Sequence, residues 1–323
     1  MKTRLLTVIP VFNGEAFLAQ TLDSVARQTL RPDRLVVLDN GSTDRTEEIV
    51  RQFKALPCEF VRNERNLGLF GNLNRGLDYA PETVFLQLLH ADDTISPEFY
   101  EVMTGALGDG DFTGLAWCVD ERIDEQDAHL SYSGRADGSV TVLDRDVFLQ
   151  RKAELGNQAF CATLIKTNHQ PVPMRFLLDA PIMGDQIFWA ALGARCGKRV
   201  FVNRALARYR WHGANETVLH MPAIQSLILD EWRAMELNEG LRDRGWSWHR
   251  RLKLKGLLAV RSGIKARRVR QNGNARYSHE IADAARPITG RTLWLAGQLL
   301  VALRDFYLFT VCRRRRHPRN IYS

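Results

Sequence analysis

"FLQLLHADDTISPEF", residues Phe85 to Phe99, runs from an apolar segment of strand length into two adjacent aspartates, Asp92 and Asp93, and then into Pro97. A short apolar run closed by polar residues reads as a strand buried on both faces. Two like charges at the end of such a strand repel each other unless a cation lies between them and a ligand. A turn begun by one aspartate would explain one carboxylate but not the pair. The stretch therefore predicts a sheet whose strand ends carry the chemistry.

Upstream, the hydrophobic period alternates. "LLTVIPVF", "RLVVLDN", "CEFVR" and "TVFLQLL" are apolar runs of strand length, and between them lie segments of helical period. In "EAFLAQTLDSVARQ" the spacing puts Phe17, Leu18, Leu22 and Val25 on one face; Asp44 followed by Glu47 reads as a helix cap with its capping-box partner; "LFGNLNRGLDYA" reads as a third helix. Strands alternating with helices, and apolar throughout, predict a parallel sheet covered on both faces. In such a sheet the ligand site lies beyond the carboxyl ends of the strands. That rim collects Asn13 and Glu15, then Asp39, Asn40 and Asp44, then Asn66 and Gly68, and finally Asp92 and Asp93. Local roles compete for some of these: Asp44 as a cap, Asn40-Gly41 as a turn, and Ser96-Pro97 as a cap with a first-turn proline.

The chain has 323 residues, 45% hydrophobic and 25% charged, enough for one large domain and an appendage. Its five cysteines are scattered without a paired framework, which predicts reduced thiols in a cytosolic setting and no structural zinc. The opening "MKTRLLTVIPVFNGE" reads as a first strand, because Pro10 and Asn13 interrupt what would otherwise resemble a signal peptide. The net charge of +8 hides a division. Up to Glu239 there are 25 basic and 33 acidic residues; from Gly240 onward there are 20 basic and four acidic. An anionic partner would therefore meet the C-terminal quarter.

Four segments, "VIPVFNGEAFLAQTLDSVARQT", "VVLDNGSTDRTEEIV", "NLGLFGNLNRGL" and "FLQLLHADD", follow in order and spacing the pattern of the family 2 inverting glycosyltransferases. The chain resembles that family, in its bacterial polysaccharide or glycolipid type, over roughly residues 4 to 215, most weakly between Asp109 and Asp179. The resemblance implies an α/β GT-A fold: a Rossmann-like, mostly parallel sheet with helices on both faces. It implies a catalytic domain at 1–220, with a nucleotide-binding half at 1–108 and an acceptor-binding half at 109–220, and leaves 221–323 as a helical basic region. It also implies a UDP- or dTDP-linked sugar donor, a lipid-linked or saccharide acceptor, and Mn2+ or Mg2+ as cofactor.

By the same resemblance, Asp39 accepts from the ring N–H of the base, Pro10, Val11 and Phe12 line the base pocket, and Glu15 lies near the base or ribose. Asp92 meets the ribose or the metal, and Asp93 ligates the metal. The family often has an aspartate where this chain has His90. An inverting transfer needs a carboxylate to take the proton of the acceptor hydroxyl. In "IMGDQIFWAALGARCG" Asp185 matches that base, with Gly184 standing where the family usually has glutamate. "ALARYRWHGANET" resembles a further family segment and makes Arg210 a diphosphate contact and His212 a metal or phosphate contact. Arg75 is a further phosphate candidate.

The tail "RTLWLAGQLLVALRDFYLFTVCRRRR" is long enough to cross a bilayer, but Gln298, Arg304 and Asp305 make it a poor transmembrane segment. Arg291, Gln298 and Asp305 recur every seven residues as a narrow polar stripe on an apolar helix. Such a helix would lie in a membrane interface with Arg313 to Arg316 on anionic headgroups, or pack on the protein. This gives an expected place at the inner face of the plasma membrane. Nucleic acid is not an expected partner, since no recognisable binding motif accompanies the charge. A non-catalytic nucleotide-sugar-binding subunit is the alternative reading. A nicotinamide-dependent dehydrogenase is disfavoured because no G-x-G-x-x-G follows the first strand.

Overall fold

The first strand, β1 (Thr3–Val11), is buried from Leu5 to Val11, as an unbroken apolar run requires when both faces of a sheet are covered. The structure, a computed structural model, describes residues 3–153, 159–180, 183–213, 224–237, 248–271 and 275–310. These fall into two units, one of Met1–Phe148 with Asn157–Asn215 and one of Leu149–Gly156 with Glu216–Ser323.

In the first unit β1 is followed by α1 (Leu18–Ala26), β2 (Arg34–Asp39), α2 (Thr46–Gln52), β3 (Glu59–Arg62), α3 (Gly68–Leu77) and β4 (Thr83–Leu88). Then come β5 (Thr94–Ile95), α4 (Phe99–Leu107), β6 (Gly114–Ile123), β7 (His129–Tyr132), β8 (Val140–Val142), α5 (Arg145–Ala153), which from Leu149 on belongs to the second unit, β9 (Thr163–Lys166), α6 (Gly184–Arg195) and β10 (Lys198–Arg210). The strand order is β3-β2-β1-β4-β9-β6-β10-β5, with β7 added to β6 and β8 to β10. β3, β2, β1 and β4 run parallel, as do β6 and β10. β9 is antiparallel to both β4 and β6 and joins the two parallel sets into one mixed sheet.

The helices form where the apolar spacing places them, with corrections at their starts. α1 buries Leu18, Leu22 and Val25, but Phe17 sits at its N-cap and does not join them on the buried face. α2 starts at Thr46 with Arg45 as N-cap; Asp44 accepts from the Thr46 N–H, and Glu47 pairs with Arg51 and Arg62 and closes no capping box. α4 starts at Phe99 with Glu98 as N-cap, so Ser96-Pro97 precedes the helix and does not open it.

A polar group is built into the apolar core of this unit. The Tyr100 hydroxyl on α4 donates to Gln87 Oε1 on β4 and shares a hydrogen bond with Thr7 Oγ1 on β1, while Gln87 Nε2 donates to the Cys161 carbonyl. All three side chains are buried, and burial pushes the Tyr100 phenol well above its ordinary value. The network fixes α4 against the two central parallel strands.

The second unit is helical: α7 (Ile224–Glu236), α8 (Trp248–Gln271), α9 (Ala275–Thr289) and α10 (Arg291–Thr310). Ile228, Ala259, Ala266, Ile281, Ala282, Ala285 and Trp294 form its core. Gly297 lets α10 approach α8 closely, since a Cβ there would lie 3.0 Å from Ala259. The nearly buried Glu231 of α7 pairs with Lys265 of α8. Among the described residues, no helix is long and apolar enough to cross a membrane.

Tyr100→Phe keeps the ring and leaves Gln87 Oε1 and Thr7 Oγ1 without their shared partner. It is expected to cost about 1–3 kcal/mol of unfolding free energy in urea titration. An unchanged midpoint would show that the hydroxyl does not hold α4 to the sheet.

Candidate functional site

The carboxyl ends of β1 and β2 are locked together by the loops that follow them. Asn13 adopts φ 52°, a conformation that asparagine tolerates, and its Oδ1 accepts from Thr43 N while its own N–H donates to Ser42 Oγ. Gly14 N donates to Thr46 Oγ1, and a Cβ at Gly14 would lie 2.4 Å from Val11 Cγ2, so the close turn needs glycine. Glu15 N donates to Asp44 Oδ2, and Glu15 Oε2 accepts from Arg45. Pro10 and Val11 are buried in the sheet, whereas Phe12 is 50% exposed at the rim, where its ring can serve as a stacking face.

Asp39 ends β2 fully buried, accepting from Ser42 N and from Arg62 Nε at 2.6 Å. Arg62, opposite Asp39 in the register of β2 and β3, covers the carboxylate and also pairs with Glu47. Beside it a buried amide network closes the rim: Asn63 donates to Asn40 and Asn72, Asn40 donates to Asn66, and Asn72 donates to the Leu38 carbonyl. Arg75 is exposed on α3 and donates to Asn63 Oδ1 at 2.6 Å. Arg62, Asn63 and Asn72 escape a reading by motif. The signal was there in the asparagines at 40, 63, 66 and 72, a polar density that a surface loop does not need.

Beyond β4 the two aspartates differ. Asp92 is partly accessible, and its Oδ2 meets His212 Nε2 at 2.9 Å. Asp93 is fully buried; its Oδ1 accepts from the Arg210 N–H, and its Oδ2 is buried without an N–H or O–H donor. Burial pushes the Asp92 carboxyl up, but the hydrogen bond from His212 and the nearness of His90 outweigh it and hold it below its ordinary value. Burial, reinforced by the Asp92 charge, pushes Asp93 well above its ordinary value. One ligand atom each from His90, Asp92 and Asp93 lie within 4.8 Å of one another. Two carboxylates, one with an oxygen that has no N–H or O–H donor and the Cys161 thiol as a weak partner, plus an imidazole, are a donor set that fits Mn2+ or Mg2+. His212 meets this group at Asp92.

Arg210 is tied into the protein at this rim. It is fully buried at the end of β10, and its guanidinium donates to the carbonyls of Asp92 and Asp124, to Gln20 Oε1 and to Asp127 Oδ1. It also lies 4.6 Å from the centroid of the Phe17 ring, which in turn packs on His212. In this arrangement the guanidinium donates to protein acceptors beneath the aspartate loop.

Asp185 lies in the first turn of α6, after the N-cap Met183, where the helix dipole favours a carboxylate. Its Oδ1 accepts from Gln186 N and its Oδ2 from Gln186 Nε2. The neighbouring Gly184 has a packing reason: a Cβ there would meet the Phe70 ring at 2.7 Å, and Phe70 is stacked on Phe176. Trp189, one turn after Asp185 on the same face, packs on Phe160, and Phe160 stacks on His90 at 4.5 Å. An aromatic chain thus runs from the Asp185 face of α6 to the aspartate loop.

Residues 7–162 match the family model described as glycosyl transferase family 2. An uncharacterised glycosyltransferase of Haemophilus influenzae is 26% identical over 220 residues, 65% of this chain and 66% of that protein. A PGL/p-HBAD biosynthesis glycosyltransferase of Mycobacterium bovis is 39% identical over 90 residues, so the chain spans only 35% of its length. Among solved structures, TarS 1–349 of S. aureus, in complex with UDP-GlcNAc, superposes with a TM-score of 0.57 at 14% identity, covering 88% of this chain and 90% of that one. The mannosyltransferase PcManGT of Pyrobaculum calidifontis, in complex with GDP-Man and Mn2+, gives 0.55 at 16% identity, covering 97% and 83%. At these identities the structural likeness is one of fold, the GT-A fold. With the ordered segments, the mixed sheet and the matched family model in agreement, residues 7–162 of the chain carry the glycosyl transferase family 2 domain.

Proposed function

We propose that this chain transfers a sugar from a uridine- or thymidine-linked nucleoside diphosphate to a lipid-linked or saccharide acceptor, with inversion, in the synthesis of cell-surface polysaccharide or glycolipid. The observation that carries the reading is the His90, Asp92 and Asp93 group at the same strand-end rim as Phe12 and Asp39. Bound UDP-GlcNAc in TarS, bound GDP-Man with Mn2+ in PcManGT, and a glycolipid role in the name of the mycobacterial relative support it.

In this reading the base stacks on Phe12 above Pro10 and Val11, and Asp39 accepts its ring N–H, which requires Arg62 to swing off the carboxylate. Glu15 lies beside the base or ribose. Asp92, the accessible carboxylate, takes the principal metal-facing place, with His90 beside it and the orphaned Asp93 oxygen beneath. His212 fixes the Asp92 carboxylate, as an outer partner does for a ligand. Mn2+ or Mg2+, when bound, supplies positive charge to the departing diphosphate. Arg75, tethered only to the rim, is free to turn toward phosphate. Arg210 and Phe17 hold the floor of the site.

Asp185 is the base. The acceptor oxygen bonds to the anomeric carbon as its proton passes to the Asp185 carboxylate, and the bond to the diphosphate oxygen breaks with its electron pair leaving on the diphosphate. Gln186 Nε2 aims the Asp185 carboxylate, the part that a glutamate at position 184 would otherwise play. Residues 1–108 would thus serve the nucleotide and 109–220 the acceptor.

A thermal-shift screen of nucleotide sugars with Mn2+ and with chelator, followed by donor hydrolysis, tests the reading. A metal-dependent rise in melting temperature and slow release of nucleoside diphosphate are expected. A shift without hydrolysis or transfer would mark a binding subunit. His212→Ala is expected to weaken Mn2+ affinity about 10- to 100-fold in calorimetry, with the thermal midpoint of the metal-free protein nearly unchanged. Equal affinity would remove His212 from the site. Asp185→Asn keeps shape and polarity, so donor affinity should hold while transfer falls on the order of 100-fold or more. Transfer at the parental rate would make Asp185 a first-turn helix residue only.

A further inference from the structure

We propose that the outward face of α10 is a surface that seats this chain in the interface of an anionic membrane. Leu295, Leu299, Leu300 and Leu303 are 58%, 61%, 57% and 55% exposed, respectively. On a helix of 3.6 residues per turn, the first, second and fourth fall in line at i, i+4 and i+8, and Leu300 flanks them. The opposite face is buried: Trp294, Gly297 and Val301 turn inward, with Gly297 against Ala259 of α8.

The polar stripe is turned inward at its centre. Gln298 packs against Gly263 of α8, where a Cβ would lie 2.4 Å from the amide nitrogen, and that nitrogen is buried without a hydrogen-bond partner. In water the favourable arrangement is the reverse, with the amide solvated and the leucines covered. A helix that hides its amide and shows four leucines is arranged for an apolar exterior.

Charge identifies the occupant. Exposed Arg291 and Arg304 bracket the ridge, and the four consecutive arginines 313–316 follow the helix in sequence. From Gly240 to the end of the chain there are 20 basic and four acidic residues. A surface that offers apolar depth under a layer of negative charge complements both features, which is what anionic phospholipid supplies. No described helix can span a bilayer, so the contact is one of lying in the interface. The proposal does not depend on the donor-site reading, since every residue of that site belongs to the other unit.

The test is flotation of the full chain with phosphatidylcholine vesicles and with phosphatidylcholine–phosphatidylglycerol vesicles, at low and high salt. Wild type is expected to float with the anionic vesicles and far less with the neutral ones. Leu299→Glu with Leu303→Glu should lower the bound-to-free ratio by about tenfold or more, and Leu299→Gln with Leu303→Gln should do the same without added charge. Replacing Arg313–Arg316 by glutamine should also weaken binding and flatten its salt dependence. Donor-induced thermal shift in the same variants should match wild type. Wild-type chain that floats with neither vesicle, or leucine variants that float as wild type does, would overturn the proposal. So would leucine variants that turn a dimer into a monomer with flotation unchanged, since a second copy would then be the occupant.

Discussion

One buried guanidinium, that of Arg210, holds the parts of the site in register. It is bonded to the Asp92 and Asp124 carbonyls, to Gln20 and to Asp127, and it stacks on Phe17. These partners come from the loop after β4, the turn after β6 and the helix after β1, three places far apart in sequence. A charge taken out of water needs its hydrogen bonds satisfied by the fold, so each of those segments must stand where the guanidinium can reach it. The backbone N–H of the same residue donates to Asp93, which links the buried carboxylate to β10. Without Arg210 the aspartate loop would have no floor.

The two aspartates then divide their labour by depth. Asp93 is buried with an orphaned oxygen and an elevated carboxyl, while Asp92 is partly accessible and held ionised by His212. Adjacent carboxylates make a place of negative potential, and Asp93 meets Arg210 through a main-chain N–H. A divalent cation relieves that repulsion and the diphosphate of a donor completes the balance. The same logic explains why Asp39 is paired with Arg62 and not left bare at the neighbouring strand end.

The fold was legible because its cause is local and repeated. Apolar runs such as Leu35–Leu38, buried on both faces, have few ways to be satisfied other than a covered parallel sheet, and their ends place the polar residues on one rim. The strand-end positions of Asp39 and Asp92 could be found in that pattern, whereas Asp185 entered through the family resemblance. The burial of Arg210 was not legible, because an arginine beside a predicted diphosphate site looks the same in sequence whether it lies in the core or at the surface. Arg62 was missed for the converse reason: its partner is set by strand register, Asp39 against Arg62, which the sequence does not display. Asp44 keeps its local bond to Thr46 N through one oxygen and ties Glu15 N from a distant loop with the other, a second use that the sequence does not display. In α10 the seven-residue stripe was visible, but which way Gln298 turned depended on Gly263 of another helix.

The central claim is that the strand-end rim around Asp92 holds a nucleoside diphosphate with a divalent cation. The most direct measurement is the anomalous scattering of manganese in crystals of this chain grown with UDP and Mn2+. The account predicts a manganese peak in coordination with Asp92, between it and the diphosphate, with the uracil against Phe12 and Arg62 displaced from Asp39. Manganese remote from Asp92, or UDP seated away from the ends of β1, β2 and β4, would contradict it.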